Sequence, residues 1–186
     1  HSGFTFLGHV CGRVCFSYPY YFYWCRIENM QNIEIGLSED ARAKGIAALQ
    51  QYLADTTVFR MKVQGFHWNV ESEEFYMLHT FFEEQYEDLQ STADEAAERM
   101  RMLGAFATNT LAQALADTQL EEASLESMGA KDMLNELLKD HQTLIMSLRT
   151  AIASLEQGSD IGTVDYFTER IRVHEKFAWM TRAHLN

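Results

Sequence analysis

A single proline, Pro19, is found in 186 residues, and from Met30 onward there is none. The scarcity of helix breakers leaves long stretches free to be helical. No run of about eighteen apolar residues occurs, so no membrane-spanning helix is expected. Positive charge is scarce: 15 Lys and Arg face 27 Asp and Glu, a net charge of -12. Such a body should repel nucleic-acid phosphate and attract cations. Cysteine is confined to Cys11, Cys15 and Cys25. Together with His9 they match no standard zinc spacing. A cysteine-free remainder suits a reducing cytoplasm.

The first 29 residues differ from the rest. They hold nine of the 23 aromatic residues, in runs such as YPYYFYW. They lack a basic start, an aliphatic core and a small-residue cleavage site, so they do not read as a secretory signal. Setting aside Arg13, Arg26 and Glu28 leaves 13 basic and 26 acidic residues, a net -13, in the body from Met30. Residues 1–29 are therefore expected to be an upstream extension, non-native or disordered, and residues 30–186 to form one domain.

From Ser38 the hydrophobic period is helical. Ser38 with Glu39 and Asp40 reads as an N-cap and acidic first turn. Ile46, Leu49, Leu53 and Met61 form a stripe that runs to Phe66. Ser72-Glu73-Glu74 reads as a second start, followed by Phe75, Phe82, Leu89 and Ala96 at sevens, with Tyr86, Ala93 and Met100 between; Gly104 ends it. A short helix fits near Leu111–Ala116. The third long helix has the seam Leu134, Leu138, His141, Ile145, Leu148, Ile152 and Leu155, stopped by Gly158. Thr163 reads as the cap of a fourth, with Val164, Phe167, Ile171 and Ala178 inward. This is an all-α chain, a four-helix bundle with a short helix between helices 2 and 3.

The polar residues in this pattern pose the functional question. His67 closes the first helix, and His79 lies on the apolar side of the second. Asp94 and Glu98 share one face at i, i+4. Two imidazoles and two carboxylates suit Fe(II), with Zn(II) or Mn(II) as alternatives. Ordinary readings also exist: a solvated acidic face for Asp94 and Glu98, and a core histidine with one hydrogen bond for His141. His79 and Asp94 are fifteen residues apart, about 22 Å along a straight helix at 1.5 Å per residue. One chain cannot bring them to one metal. Their azimuths differ by only about 60° at about 100° per residue. Antiparallel pairing of two chains, about a two-fold axis near Glu87, would place His79 of one against Asp94 and Glu98 of the other. The Glu-x-x-His motif that closes di-iron sites within one chain does not occur.

The segments FHWNV, LHTFFEEQYEDL, DEAAERMRMLG, GSDIGTVD and VHEKFAWMTRA resemble the Dps family (DNA-binding protein from starved cells), the mini-ferritins, over about Met30 to Leu185. The resemblance implies a ferritin-like fold in a hollow homododecamer and Fe(II) oxidation, often with hydrogen peroxide. It further implies storage of ferric mineral and protection against oxidative stress. It assigns His67 and His79 as ferroxidase ligands from one subunit, Asp94 and Glu98 as those from its two-fold partner, and Trp68 as the neighbour of the site. Asp160, Asp165 and Glu169 match the acidic region of the family's iron-entry pores; helix capping and a solvated helix start explain them equally. Tyr86 and Trp68 fit packing better than electron donation. Family members that bind DNA carry Lys-rich tails. Here no base lies between Met30 and Arg42, and TRAHLN at the end has only Arg182, so DNA binding is expected to be weak. A nucleoid-associated structural protein with a secondary metal site is the alternative.

Overall fold

The computed structural model describes residues 30–108, 110–123 and 128–185. The expectations for residues 1–29 lie outside the described residues. Among those described, five α-helices follow one another: α1 Glu39–Asn69, α2 Phe75–Met102, α3 Leu111–Asp117, α4 Ala130–Leu155 and α5 Ile161–Leu185. None is long and apolar enough to cross a membrane.

α1 and α2 pack as one hairpin and α4 and α5 as another, joined chiefly through α1 against α4. The expected four-helix bundle with a short helix in its long connection is what forms. Ser38 caps α1 by accepting from the Ala41 amide at 3.2 Å. Packing on α2, α3 and α4 makes α1 buried around much of its circumference. Met61, expected inward, therefore falls on its third side, half-exposed beside α3. Phe59, Phe66, Phe82, Leu137, Leu144 and Phe167 are fully buried at the bundle centre. On α4 the expected Leu134, His141, Leu148 and Leu155 are buried, while Leu137 and Leu144 take the inward places expected for Leu138 and Ile145.

Helix ends are set by backbone chemistry. Gly104 ends the second hairpin arm at φ +95, a conformation costly for other residues. Ser72 does not cap α2 as Ser38 caps α1. Its Oγ accepts from the Glu74 amide in a preceding turn, and the helix begins at Phe75. α4 passes into a 3₁₀ turn, Glu156–Gly158, and Ser159, not Gly158, takes the left-handed φ of 60. Asp160, rather than Thr163, caps α5: its Oδ1 accepts from the Thr163 amide at 3.2 Å, and its Oδ2 from the Thr163 hydroxyl at 2.6 Å. Arg99 of α2 closes the same corner, donating to Asp160 Oδ1 at 2.8 Å. A Cβ on Gly162 would lie 2.7 Å from that guanidinium, so only glycine leaves Arg99 its place.

Candidate metal site

The last turn of α1 leaves carbonyls without helical partners. His79, entering α2 across the turn, fills one of them: its Nδ1–H donates to the His67 carbonyl at 2.8 Å. His67 returns the bond, donating from Nδ1 to the His79 carbonyl at 2.9 Å. A carbonyl only accepts, so both rings carry their proton on Nδ1. In each neutral imidazole the Nε2 lone pair is then free to ligate. The rings stack with centroids 3.7 Å apart and planes 20° from parallel. The structure thus brings the two sequence-predicted histidines together as a reciprocal pair.

Aromatic walls hold the pair. Phe75 stacks on His79 at 5.1 Å, and Tyr86 meets His67 edge-on at 5.2 Å. Phe75, expected in the core stripe, is 46% exposed, as are its neighbours Tyr76 and Met77 at 81% and 47%. Trp68, one residue on from His67, turns instead into a cleft of about 520 Å³ between α1 and α3. Glu83 was missed in the sequence. It lies one turn after His79 and accepts a long hydrogen bond from the Tyr86 hydroxyl at 3.4 Å. Its i+4 spacing from His79 was the available signal.

Asp94 and Glu98 lie exposed on the far half of α2. α2 runs unbroken from Phe75 to Met102. The separation of about 22 Å between His79 and Asp94 therefore stands. Among the described residues no group of three or more His, Cys, Asp or Glu is placed to hold a metal within the single chain. Between the two ends, Tyr86, Glu87, Gln90, Ser91, Asp94 and Ala97 line a shallow open groove.

The three acids at the start of α5 separate. Asp160 is buried, with its carboxylate committed to the cap and to Arg99. Asp165 and Glu169 are exposed. His141 is no isolated core histidine. Its Nε2 bonds Gln85 Oε1 at 2.8 Å and its Nδ1 bonds Nδ1 of His174 at 2.9 Å. His174 continues to the Tyr52 hydroxyl at 2.9 Å, which also receives Arg170 Nε at 3.3 Å. Arg170 in turn is paired with Asp88.

The antiparallel hairpins, buried polar centre and paired histidines define a ferritin-like helical bundle, and the ferritin-like domain family matches residues 46–186. The chain belongs to the Dps family within that class. It is 34% identical over 142 residues to the DNA protection during starvation protein of Helicobacter pylori, covering 76% of this chain and 99% of that one. An uncharacterised low temperature-induced protein of Nostoc is 35% identical over 157 residues, 84% of this chain and 88% of that protein. The crystal structure of a Dps protein from Vibrio cholerae superposes with a TM-score of 0.79 at 32% identity, over 84% of this chain and 100% of that one; it is described as a member of a broad superfamily of ferritin-like diiron-carboxylate proteins.

Proposed function

We propose that the protein is an iron-oxidising and iron-storing mini-ferritin that protects against oxidative stress in the cytoplasm. Its sites are shared across two-fold axes of a homododecameric shell. His67 and His79 of one chain and Asp94 and Glu98 of its partner bind Fe(II). The observation that carries this reading is the reciprocal Nδ1–carbonyl pair of His67 and His79, which leaves both Nε2 atoms available while no group of three or more ligating side chains forms around them among the described residues of one chain. The ferritin-like relatives support it.

The chemistry follows from the donor set. Neutral imidazole and ionised carboxylate hold Fe(II) while leaving positions open to an oxidant. Carboxylates favour the harder Fe(III). With peroxide, two Fe(II) ions each give up one electron, and the O–O bond breaks to two hydroxides. The main-chain bonds at Nδ1 orient the imidazoles, and Phe75 and Tyr86 fix the ring planes. Zn(II) or Mn(II) would compete for the same donors. Asp165 and Glu169 are the candidates for the acidic iron-entry pore; Asp160 positions the helix start beneath them.

Stopped-flow oxidation of Fe(II), first with oxygen and then with peroxide, tests the proposal. His67→Ala, His79→Ala, Asp94→Ala and Glu98→Ala should each lose the fast phase. Retention of that phase in all four variants overturns it. A DNA-binding structural role, the second reading, draws on the name of the Helicobacter pylori relative.

A further inference from the structure

The tyrosine hydroxyls of the bundle differ in what faces them. That of Tyr166 donates to the Thr92 carbonyl at 2.9 Å, and a carbonyl cannot take the proton away. That of Tyr86 reaches the Glu83 carboxylate at a long 3.4 Å. Tyr52, 3% exposed, stands instead against an imidazole, with His174 Nε2 at 2.9 Å. Arg170 Nε donates to the same phenolic oxygen at 3.3 Å. A guanidinium only donates, so the proton of Tyr52 points at the His174 lone pair. His174 then carries its own proton on Nδ1, 2.9 Å from Nδ1 of His141.

This arrangement lets a proton and an electron leave Tyr52 together. Burial pushes its hydroxyl up to about 12, so simple ionisation does not occur at neutral pH. Once the phenolic proton has moved to His174, the imidazolium has an acceptor on each side, the Tyr52 oxygen and His141 Nδ1. Asp88, paired with Arg170, offsets the neighbouring guanidinium charge. The Tyr52 ring also meets Tyr166 edge-on, with centroids 6.2 Å apart. Tyr166 is bonded to Thr92, two residues before Asp94 on α2. Contacts therefore run without a break from Tyr52 to the stretch of α2 that carries Asp94. We infer that Tyr52 is a redox-active residue that gives one electron to hydrogen peroxide at the iron site while His174 takes its proton. The inference rests on the shared-site reading above for its oxidant. Where a site holds a single Fe(II), that ion gives the peroxide one electron and Tyr52 gives the second. The O–O bond breaks to two hydroxides, leaving Fe(III), a neutral tyrosyl radical and the His174 imidazolium.

The test is high-field electron paramagnetic resonance of the full chain under two oxidants. In one arm, iron-free protein is oxidised by a flash-generated ruthenium(III) tris-bipyridine complex. In the other, substoichiometric Fe(II) is mixed with hydrogen peroxide and freeze-quenched. Both arms should give a tyrosyl radical that outlives those of exposed tyrosines, with its g-anisotropy lowered by the donors at its oxygen. Tyr52→Phe should remove that signal. His174→Gln keeps an acceptor for the hydroxyl, but an amide cannot hold the proton, so the signal should collapse there too. Survival of the long-lived signal in Tyr52→Phe, or its absence from the parent in the photochemical arm, overturns the inference. Should Tyr52→Phe not fold, an unchanged signal in His174→Gln overturns it equally. Fast iron oxidation with the radical in the photochemical arm alone refutes donation to the iron site. If the parent shows no fast iron oxidation, the shared-site reading fails, and the photochemical arm decides by itself whether Tyr52 is redox-active.

Discussion

Nδ1 of His141 and Nδ1 of His174 face each other across 2.9 Å at the centre of the bundle, with one proton between them. The rest of the chain says which ring owns it. Gln85 commits its NH₂ to the Phe81 carbonyl, so its Oε1 must accept from His141 Nε2. His141 Nδ1 is then the acceptor and His174 Nδ1 the donor. His174 Nε2 in turn accepts from Tyr52, which accepts from Arg170. Every bond is satisfied with both imidazoles neutral, and a second proton would have no acceptor.

Stability should therefore fall in acid. Burial, with Arg170 nearby, pushes His141 down to about 3; burial also holds His174 well below its ordinary value, with His141 and Arg170 adding to the effect. A base depressed in the folded state contributes fully above the unfolded value near 6.5. That contribution is lost as pH falls from there toward the folded value, by about 1.4 kcal/mol per pH unit for each histidine. Burial raises Asp55 and Asp140, which slope the opposite way, so the comparison must be with a variant. Urea unfolding between neutral pH and about 5 should show a shallower acid loss in His141→Gln than in the parent.

Lys62 and Asp140 form a buried ion pair at 2.6 Å, with side chains 1% and 3% exposed. Lys62→Ala leaves the carboxylate alone in the core and should cost about 3–5 kcal/mol. Replacing both with Met and Leu should cost far less. Chemical denaturation of the single and double variants measures the difference.

The shared site makes a genetic prediction. His79→Ala shells and Asp94→Ala shells should each lose rapid iron oxidation. Reassembled together, a dimer with one chain of each kind concentrates both lesions in one site and keeps all four ligands in the other. Part of the fast phase should return in shells shown to contain both chains. No recovery in such shells would falsify the inter-chain assignment.

DNA retention should be weak. The body carries a net -13 by the count given above, and the described C-terminal helix ends with Arg182 and His184 as its only basic groups in the last turn. At about 150 mM salt, near physiological ionic strength, a plasmid gel shift should show no stable complex. Tight retention there would reveal a basic surface formed only in the assembly.

Local chemistry was legible in the sequence wherever neighbours along the chain determine it. Ser38 caps α1 and Gly104 stops α2, because a cap hydroxyl and a positive φ depend on adjacent residues. The two histidines could be proposed from residue type and spacing, but their mutual carbonyl bonds could not. The partner of His141 lies 33 residues away on another helix. Nothing in the period of α4 points to it. Lys62 is buried in a bond to Asp140, 78 positions on, a partner that no local pattern indicates. Asp160 looked equally like a pore acid and a cap; Arg99, from α2, decides its orientation.

The clasp between His67 and His79 also governs where ordering occurs. Two free histidine side chains would each surrender rotamer freedom on meeting a metal. Here that loss falls on folding, because neither ring can turn without releasing the main chain of the other. The lone pairs stay aimed before any ion arrives. It also makes the two positions inseparable in their effects. Truncating one histidine unfastens the ring that remains, so the second truncation should cost less than the first, and the two losses should not add.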